Sequence, residues 1–408
     1  MKEKLFTRNF MLLVLGQVSA LFGNYILRLA LSMYVLELTG SAAVFAGLLS
    51  AATIPTILLS PFGGILADRA NRRNIMVALD AMTGIAVLCA ALLLSEQRAL
   101  VVIGALLVLL SVLGAFETPT VQACIPSMLT GDNIIWGNAV VNQTASISYL
   151  TVPLLGGIFY AAFGIQPVMY ASVLCFFVTA FLECFIRLDY CPAGFQGRVL
   201  AAVKADFIDS FHFIGKERRD ILRILLLAAL SRFFVMGVTL VGLPFLVRTV
   251  LGLDARYYGA AESVLAVAVI AGSMAAGVLA GKIKKGGLSP MLAAVGLCIV
   301  PAGLIFLFPT GTGVRYAVLV AVFCGMQIAI SMFSIYAVSM IQQGAPEHMI
   351  GKVMAYTSAI TMCAQPVGQI VYGFLFDGFK ETVWLVLIPT GVIVCGIGVA
   401  VGRKGGMD

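Results

Sequence analysis

The stretch Gly64-Ile-Leu-Ala-Asp68-Arg69-Ala-Asn71-Arg72-Arg73 lies between two long apolar runs, one ending near Leu66 and the next resuming near Ile75. Charge this dense cannot sit in hydrocarbon, and an interval this short has room for little more than a tight turn. Read as the turn between two membrane spans, it must lie in water, on the cytoplasmic side if positive charge marks the inside. Asn71 tolerates left-handed backbone in such a turn better than most side chains.

The rest of the chain agrees with a membrane setting. Its 408 residues are 61% hydrophobic and only 11% charged, and the mean hydropathy is +1.04. That excludes a soluble globular domain, which has no use for so much apolar surface. The net charge of +7 is read as basic cytoplasmic loops, and no nucleic-acid partner is expected. The first apolar run follows Met1-Lys-Glu-Lys-Leu-Phe-Thr-Arg8 directly and is too long for a cleavable leader. Nine cysteines, all but Cys191 in or at the ends of apolar runs, lack metal-ligand spacing and are read as packing residues. His212 and His348 fall in polar intervals, so no metal site is expected.

A helix needs about 20 apolar residues to cross the hydrocarbon. Twelve such runs are present: 10–38, 42–66, 74–94, 99–125, 136–162, 166–187, 223–250, 257–281, 290–309, 314–341, 350–376 and 382–402. The expected fold is an all-α membrane protein of twelve transmembrane helices in two pseudo-symmetric six-helix bundles. With the N-terminus inside, Lys2, Lys4, Arg8, the Arg69–Arg73 turn, Lys282, Lys284, Lys285, Arg403 and Lys404 are cytoplasmic. Only Arg98, Arg248, Arg256, Arg315 and Lys380 then lie outside, and the asymmetry puts both termini in the cytoplasm of a plasma-membrane protein.

Residues 1–188 form the expected N-terminal bundle, 189–222 a cytoplasmic central loop and 223–408 the C-terminal bundle. Val203, Phe207, Phe211 and Ile214 recur at helical spacing among basic residues, as in an amphipathic helix lying on the membrane surface. A shift of 213 residues aligns Gly64-Ile-Leu-Ala67 with Gly277-Val-Leu-Ala280, Pro153 with Pro366 and Gly131 with Gly344. The second copy is degenerate, with Gly281 opposite Asp68. Two halves repeated in this way fit a parallel internal duplication.

The pattern G-x-x-x-D-R-x-x-R-R at 64–73 resembles motif A, the loop 2–3 signature of the major facilitator superfamily, with Asn71 where that motif has its last Gly. Leu15-Gly-Gln-Val-Ser19, Leu38-Thr-Gly-Ser41, Ser60-Pro-Phe-Gly-Gly64 and Ile75-Met-Val-Ala-Leu-Asp80 look like the macrolide-efflux-like branch of its drug exporters, which also resembles the enterobactin exporters. The resemblance implies alternating access between the two halves. It assigns Gly64, Asp68, Arg69, Arg72 and Arg73 to gating rather than to substrate. Pro153-Leu-Leu-Gly156-Gly157 is similar to the end of the antiporter motif C, with Val152 in place of its first Gly. Pro153, Gly156 and Gly157 either serve antiport or simply allow a kink and close packing.

Polar residues within the spans are the candidate site. Gln17, Asn24 and Arg28 are spaced 7 and 4 apart, so they share one helical stripe. An Arg facing lipid costs at least about 2.5–3.5 kcal/mol, so the stripe is expected to face the interior or a wet cavity. Depth along the spans suggests two pairs, Glu117 with Arg232 and Arg28 with Glu262. A carboxylate that alternates between a cationic neighbour and a dry site can bind and release a proton, which makes Glu117 and Glu262 the coupling candidates. Asp80 and Glu183 are read as members of structural pairs. Asn138, Asn142 and Tyr149 on one span, Gln327, Ser331 and Ser334 on another, and Gln365, Gln369 and Tyr372 on a third form further polar faces, and Tyr25 adds an aromatic ring beside Arg28. They either line a cavity or bond helices to one another.

No phosphate-cradling G-x-x-x-x-G-K-[ST] and no Ser/His/Asp constellation is present, so neither an ATPase nor another enzyme is expected. The expected activity is proton-coupled efflux of amphipathic, macrolide-like compounds by a monomer in the lipid bilayer. It would use the proton motive force and no cofactor. Siderophore export and lysophospholipid flipping are alternatives within transport. A non-transporting membrane sensor or scaffold is the alternative outside it.

Overall fold

A computed structural model describes residues 5–131, 133–188, 219–279, 288–344 and 350–405. Among them are twelve helices long and apolar enough to cross a membrane. They are α1 (Arg8–Thr39), α2 (Ala42–Arg69), α3 (Arg72–Leu93), α4 (Ala99–Met128), α5 (Asn133–Phe163) and α6 (Ile165–Cys184). After the central interval come α7 (Ile221–Val250), α8 (Ala255–Leu279), α9 (Leu288–Leu307), α10 (Thr312–Gly344), α11 (Ile350–Gly378) and α12 (Trp384–Gly405). No strand occurs among the described residues. In lipid each backbone polar group must be satisfied within its own segment, and a helix does that without an edge. The chain is a multi-pass membrane protein. The expected amphipathic helix at 203–214, Lys282, Lys284 and Lys285, and the side chains of Gly64, Asp68 and Arg69 lie outside the described residues.

Short turns separate the helices. Gly40, at φ 59°, ends α1 in left-handed backbone and donates its N–H to the Leu36 carbonyl at 2.9 Å. Gly164, at φ 77°, separates α5 from α6. All positive φ values among the described residues belong to glycines, so Asn71 does not use the left-handed backbone that Asn tolerates. Asn71 has φ −66° and ψ 107°, and its Oδ1 accepts the Asn74 N–H at 3.4 Å. The helix begins at the very next residue, so the position calls for an extended N-cap rather than a left-handed residue.

Contacts divide the chain into two units. Unit 1 comprises Met1–Gly40, Leu48–Phe195 and Leu253–Ser263; unit 2 comprises Ser41–Gly47, Gln196–Gly252 and Val264–Asp408. In unit 1, α1 packs on α5 and α6, and α3 on α4 and α6. In unit 2, α7 packs on α11 and α12, and α9 on α10 and α12. Adding six to each helix number of the first set gives the second, so the sequence repeat is also a repeat of packing partners. Small residues let the helices approach: a Cβ at Gly23 would lie 2.9 Å from the Cys175 Cβ, and one at Gly391 2.7 Å from the Gly296 carbonyl. Helix α7 widens into π-helical turns at Gly237–Gly242 and Leu246–Val250. Pro244, which has no N–H to give the ladder, lies between them.

Candidate functional site

Unit 1 encloses a cavity of about 430 Å³ between α1, α2, α4 and α5. Helix α1 presents Gln17, Asn24, Tyr25 and Arg28 to it, α4 presents Ser111, Glu117 and Gln122, and α5 presents Asn142. Among the described residues, Arg28 is the one cation in the lining and Glu117 the one carboxylate. The Arg28 Nε–H donates to Asn24 Oδ1, one turn back, at 2.7 Å, which aims the guanidinium along the stripe. Glu117 of α4 lines the same cavity. Gln17 is buried and its Nε2 has no hydrogen-bond partner. Tyr25 meets Tyr149 of α5 edge-on, with ring centroids 5.7 Å apart. The α4 wall owes its shape in part to Pro119, two residues beyond Glu117. Gly63 of α2 fits against it, because any Cβ there would collide with the Ala115 carbonyl.

Pairing by depth misjudged the partner of Glu262. No ion pair joins Arg28 to Glu262: Glu262 Oε1 instead accepts the Tyr258 hydroxyl, one turn back on α8, at 2.9 Å. Depth along a span says nothing about azimuth, and azimuth turns Arg28 into the cavity that Glu117 also lines. Glu117 belongs to unit 1 and Arg232 to unit 2. Within unit 2, Arg232 Nη2 donates to Gln365 Oε1 at 3.4 Å. Asp80 of α3 and Glu183 of α6, two helices that pack on each other, are both wholly buried, and none of their four carboxyl oxygens has a hydrogen-bond partner.

In unit 2 a second cavity, of about 330 Å³, is lined by α7, α10 and α11, with Val269 of α8. Arg232, Gln327 and Ser331 reach it. Gln369 is only 1% exposed and lies outside this lining.

The α2–α3 turn is tied down by its arginines. Arg72 donates through Nε to the Ala67 carbonyl at 2.9 Å and through Nη1 to Ser127 Oγ. Arg73 donates through Nη2 to the Cys184 carbonyl at the end of α6. Cations at helix C-termini meet both the free carbonyls and the negative end of the dipole.

Pro153, Gly156 and Gly157 bring α5 against α1 and the first turns of α8. A Cβ at Gly157 would lie 2.5 Å from the Ala255 carbonyl, and one at Gly259 would strike the Pro153 carbonyl. The Leu154 N–H donates to Ser263 Oγ at 3.2 Å. Gly157→Val is expected to cost about 1–3 kcal/mol by overpacking against rigid backbone, seen as a lower melting temperature of the purified protein. Gly156→Ala should cost less, since its Cβ would meet the Ile26 side chain at 3.1 Å. Equal melting of Gly157→Val and the wild type would rule out this contact as the reason for the glycine.

Asp377, at the end of α11, was not singled out from sequence. Its Oδ1 accepts the Ala42 N–H at 2.6 Å, and its Oδ2 accepts the Ala43 N–H at 3.0 Å and the Ser41 hydroxyl at 2.5 Å. All four residues belong to unit 2. The Leu38-Thr-Gly-Ser41 turn signalled a helix start, but nothing local points to a carboxylate 336 positions away.

A family model described as the Major Facilitator Superfamily matches residues 13–371. Macrolide efflux protein A of Streptococcus pyogenes is 21% identical over 387 residues, covering 93% of this chain and 92% of that one. The multidrug efflux pump Tap of Mycolicibacterium fortuitum is 22% identical over 390 residues, covering 93% and 92%. Among solved structures, a point mutant of the nucleoside transporter NupG superposes with a TM-score of 0.73 at 12% identity, covering 97% of this chain and all of that one. A bacterial homologue of the iron transporter ferroportin gives 0.71 at 15% identity, covering 97% and 98%. These structural likenesses establish the fold.

Proposed function

The chain belongs to the Major Facilitator Superfamily and is a membrane transporter, and we propose that it exports amphipathic compounds in exchange for protons. The observation that carries this reading is the unit 1 cavity, where Arg28 and Glu117 are the only Asp, Glu, Lys or Arg side chains of the lining among the described residues. A carboxyl that can exchange a guanidinium partner for a proton is the minimal unit of antiport. The names of the relatives, macrolide and multidrug efflux, support bulky amphipathic cargo. The distribution of Lys and Arg supports a plasma-membrane location with both termini in the cytoplasm.

In this cycle the two units rock about the substrate, and a monomer embedded in lipid suffices. Cargo enters from the cytoplasm or inner leaflet, and a proton taken up on the other side returns through Glu117. One proton crossing about 150 mV releases about 3.5 kcal/mol, enough to sustain a gradient of roughly 300-fold. The α2–α3 turn acts as the gate, with Asp68 biasing the alternation. Asp68→Asn is therefore expected to lower flux several-fold while leaving substrate affinity within about twofold. Unchanged flux in proteoliposomes would remove Asp68 from the gate.

The reading is tested in proteoliposomes loaded with a pH-sensitive dye. A pH gradient is imposed, and macrolides, lipophilic cations, a catecholate siderophore and lysolipids are added in turn. Proton movement triggered by one class supports antiport and identifies the cargo. Silence across the panel in folded protein, with ligand-dependent binding of a partner, would favour a sensor.

A further inference from the structure

The unit 2 cavity differs in charge from the unit 1 cavity. Among the described residues, Arg232 is the only ionised side chain in its lining, and no Asp or Glu accompanies it. The hydrogen bond from Arg232 to Gln365, at 3.4 Å, is long for a charge-assisted contact, which prefers about 2.7–2.9 Å. A guanidinium carries five donors, so most of this fork is open to a ligand. An unpaired Arg in a span is costly enough to call for a counter-ion.

A second feature, independent of that charge, specifies more of the ligand. Gln327 lines the same cavity, is 7% exposed, and its Oε1 has no hydrogen-bond partner. A buried carbonyl without a donor costs free energy until a ligand supplies one. The hydroxyls divide by what they already do. Thr357 and Thr361 donate to carbonyls of their own helix, at 2.8 Å each, whereas Ser331 and Ser334 face the cavity. Met236, Ile330 and Phe333 supply the apolar wall.

We propose that this cavity binds an amphipathic organic anion that also carries an N–H or O–H donor. The carboxylate, sulfonate or phosphate sits on the Arg232 fork with help from Ser331 and Ser334. The donor meets Gln327 Oε1, and the apolar body lies on the aliphatic and aromatic wall. An ammonium group finds no counter-charge in this cavity. The inference names the substrate class of the proposed exporter. It rests on that reading for flux but not for binding.

Three fluorescent probes on one dansyl scaffold separate the terms. Dansylglycine has the anion and a sulfonamide N–H, dansylsarcosine the anion without the N–H, and dansylcadaverine the N–H with a cation. Binding to the full chain in phosphatidylcholine nanodiscs is expected to favour dansylglycine over dansylcadaverine by about 10-fold or more. Dansylsarcosine should bind a few-fold more weakly than dansylglycine. Arg232→Gln should erase the preference for anions, and Arg232→Lys should retain part of it, which excludes misfolding as the cause. Gln327→Leu should make dansylglycine and dansylsarcosine equal. Equal binding of anion and cation by the wild type, or an anion preference that survives in Arg232→Gln, overturns the proposal.

Adding anionic phosphatidylglycerol to the discs identifies the natural source of the anion. Competition makes it a lipid headgroup, and its absence a free solute; either supports the site. Flux is measured separately in proteoliposomes. Binding without flux leaves the anion site standing and sinks the transport reading. Flux of cations that is indifferent to Arg232→Gln does the reverse.

Discussion

Glu117→Gln is expected to abolish proton movement driven by substrate, a loss of at least about 100-fold, while substrate-for-substrate exchange continues. The side chain keeps its length and one carbonyl oxygen, so the shape of the cavity is preserved. What disappears is the ability to take and release a proton, and with it the coupling of proton flow to cargo flow. Arg28 then loses its counter-charge in the lining, so cargo bearing an anion should bind no more weakly than before, which separates coupling from binding. The measurement compares two modes in the same proteoliposomes, dye-reported proton flux and isotope exchange at equal pH. Normal pH-driven flux in Glu117→Gln would pass the coupling role to Glu262, which bonds Tyr258 on α8. Loss of both modes would point instead to a damaged cavity.

Features that depend on local composition were legible in the sequence. Twelve apolar runs correspond to twelve spans because hydrocarbon thickness sets their length. The stripe Gln17, Asn24, Arg28 could be read from a 3.6-residue period, and the structure brings all three to one cavity. The face Gln327, Ser331, Ser334 could be read in the same way and also lines one cavity. Relations between helices were not legible. Depth matching gave Arg28 the wrong carboxylate, because two residues at one depth can point to opposite sides of their helices. The backbone at Asn71 was open for another reason. Its side chain suits both left-handed backbone and an N-cap, and only the start of α3 at Arg72 decides between them. Asp80 and Glu183 were expected in structural pairs, yet nothing in sequence says that their carboxyl oxygens are buried without a hydrogen-bond partner. Asp377 gave no signal, since a carboxylate at the end of one helix needs the three-dimensional fold to find the start of another.

Asp377→Ala is the second large effect. The first amides of a helix have no partner within it and carry the positive end of its dipole. In α2 two of them, at Ala42 and Ala43, depend on the Asp377 carboxylate. Ser41 extends the arrangement: its Oγ accepts the Val44 N–H at 3.1 Å and donates its own proton to Asp377. Gly373, one turn before Asp377, lets α11 approach this segment, since its Cβ would lie 2.6 Å from the Ala46 Cβ. Removing the carboxylate takes the acceptor from the Ala42 and Ala43 amides. Hydrogen bonds to a charged group are worth about 1.5–3 kcal/mol, so local opening of the first turn of α2 should rise by about 10- to 150-fold. Hydrogen–deuterium exchange of a peptide covering residues 41–47 reads this directly, and Asp377→Asn, which keeps one acceptor, should fall between. The effect should reach transport as well. Unit 2 takes in Ser41–Gly47, whereas the rest of α2 belongs to unit 1, so in the proposed rocking cycle the Asp377 cap sits on the segment where α2 passes from one unit to the other. A contact worth about 1.5–3 kcal/mol is large enough to set which access state predominates. Asp377→Ala should therefore change the accessibility of a reporter cysteine in the unit 1 cavity as well as amide exchange. Faster exchange with unchanged accessibility would restrict Asp377 to capping α2, and unchanged exchange would remove even that role.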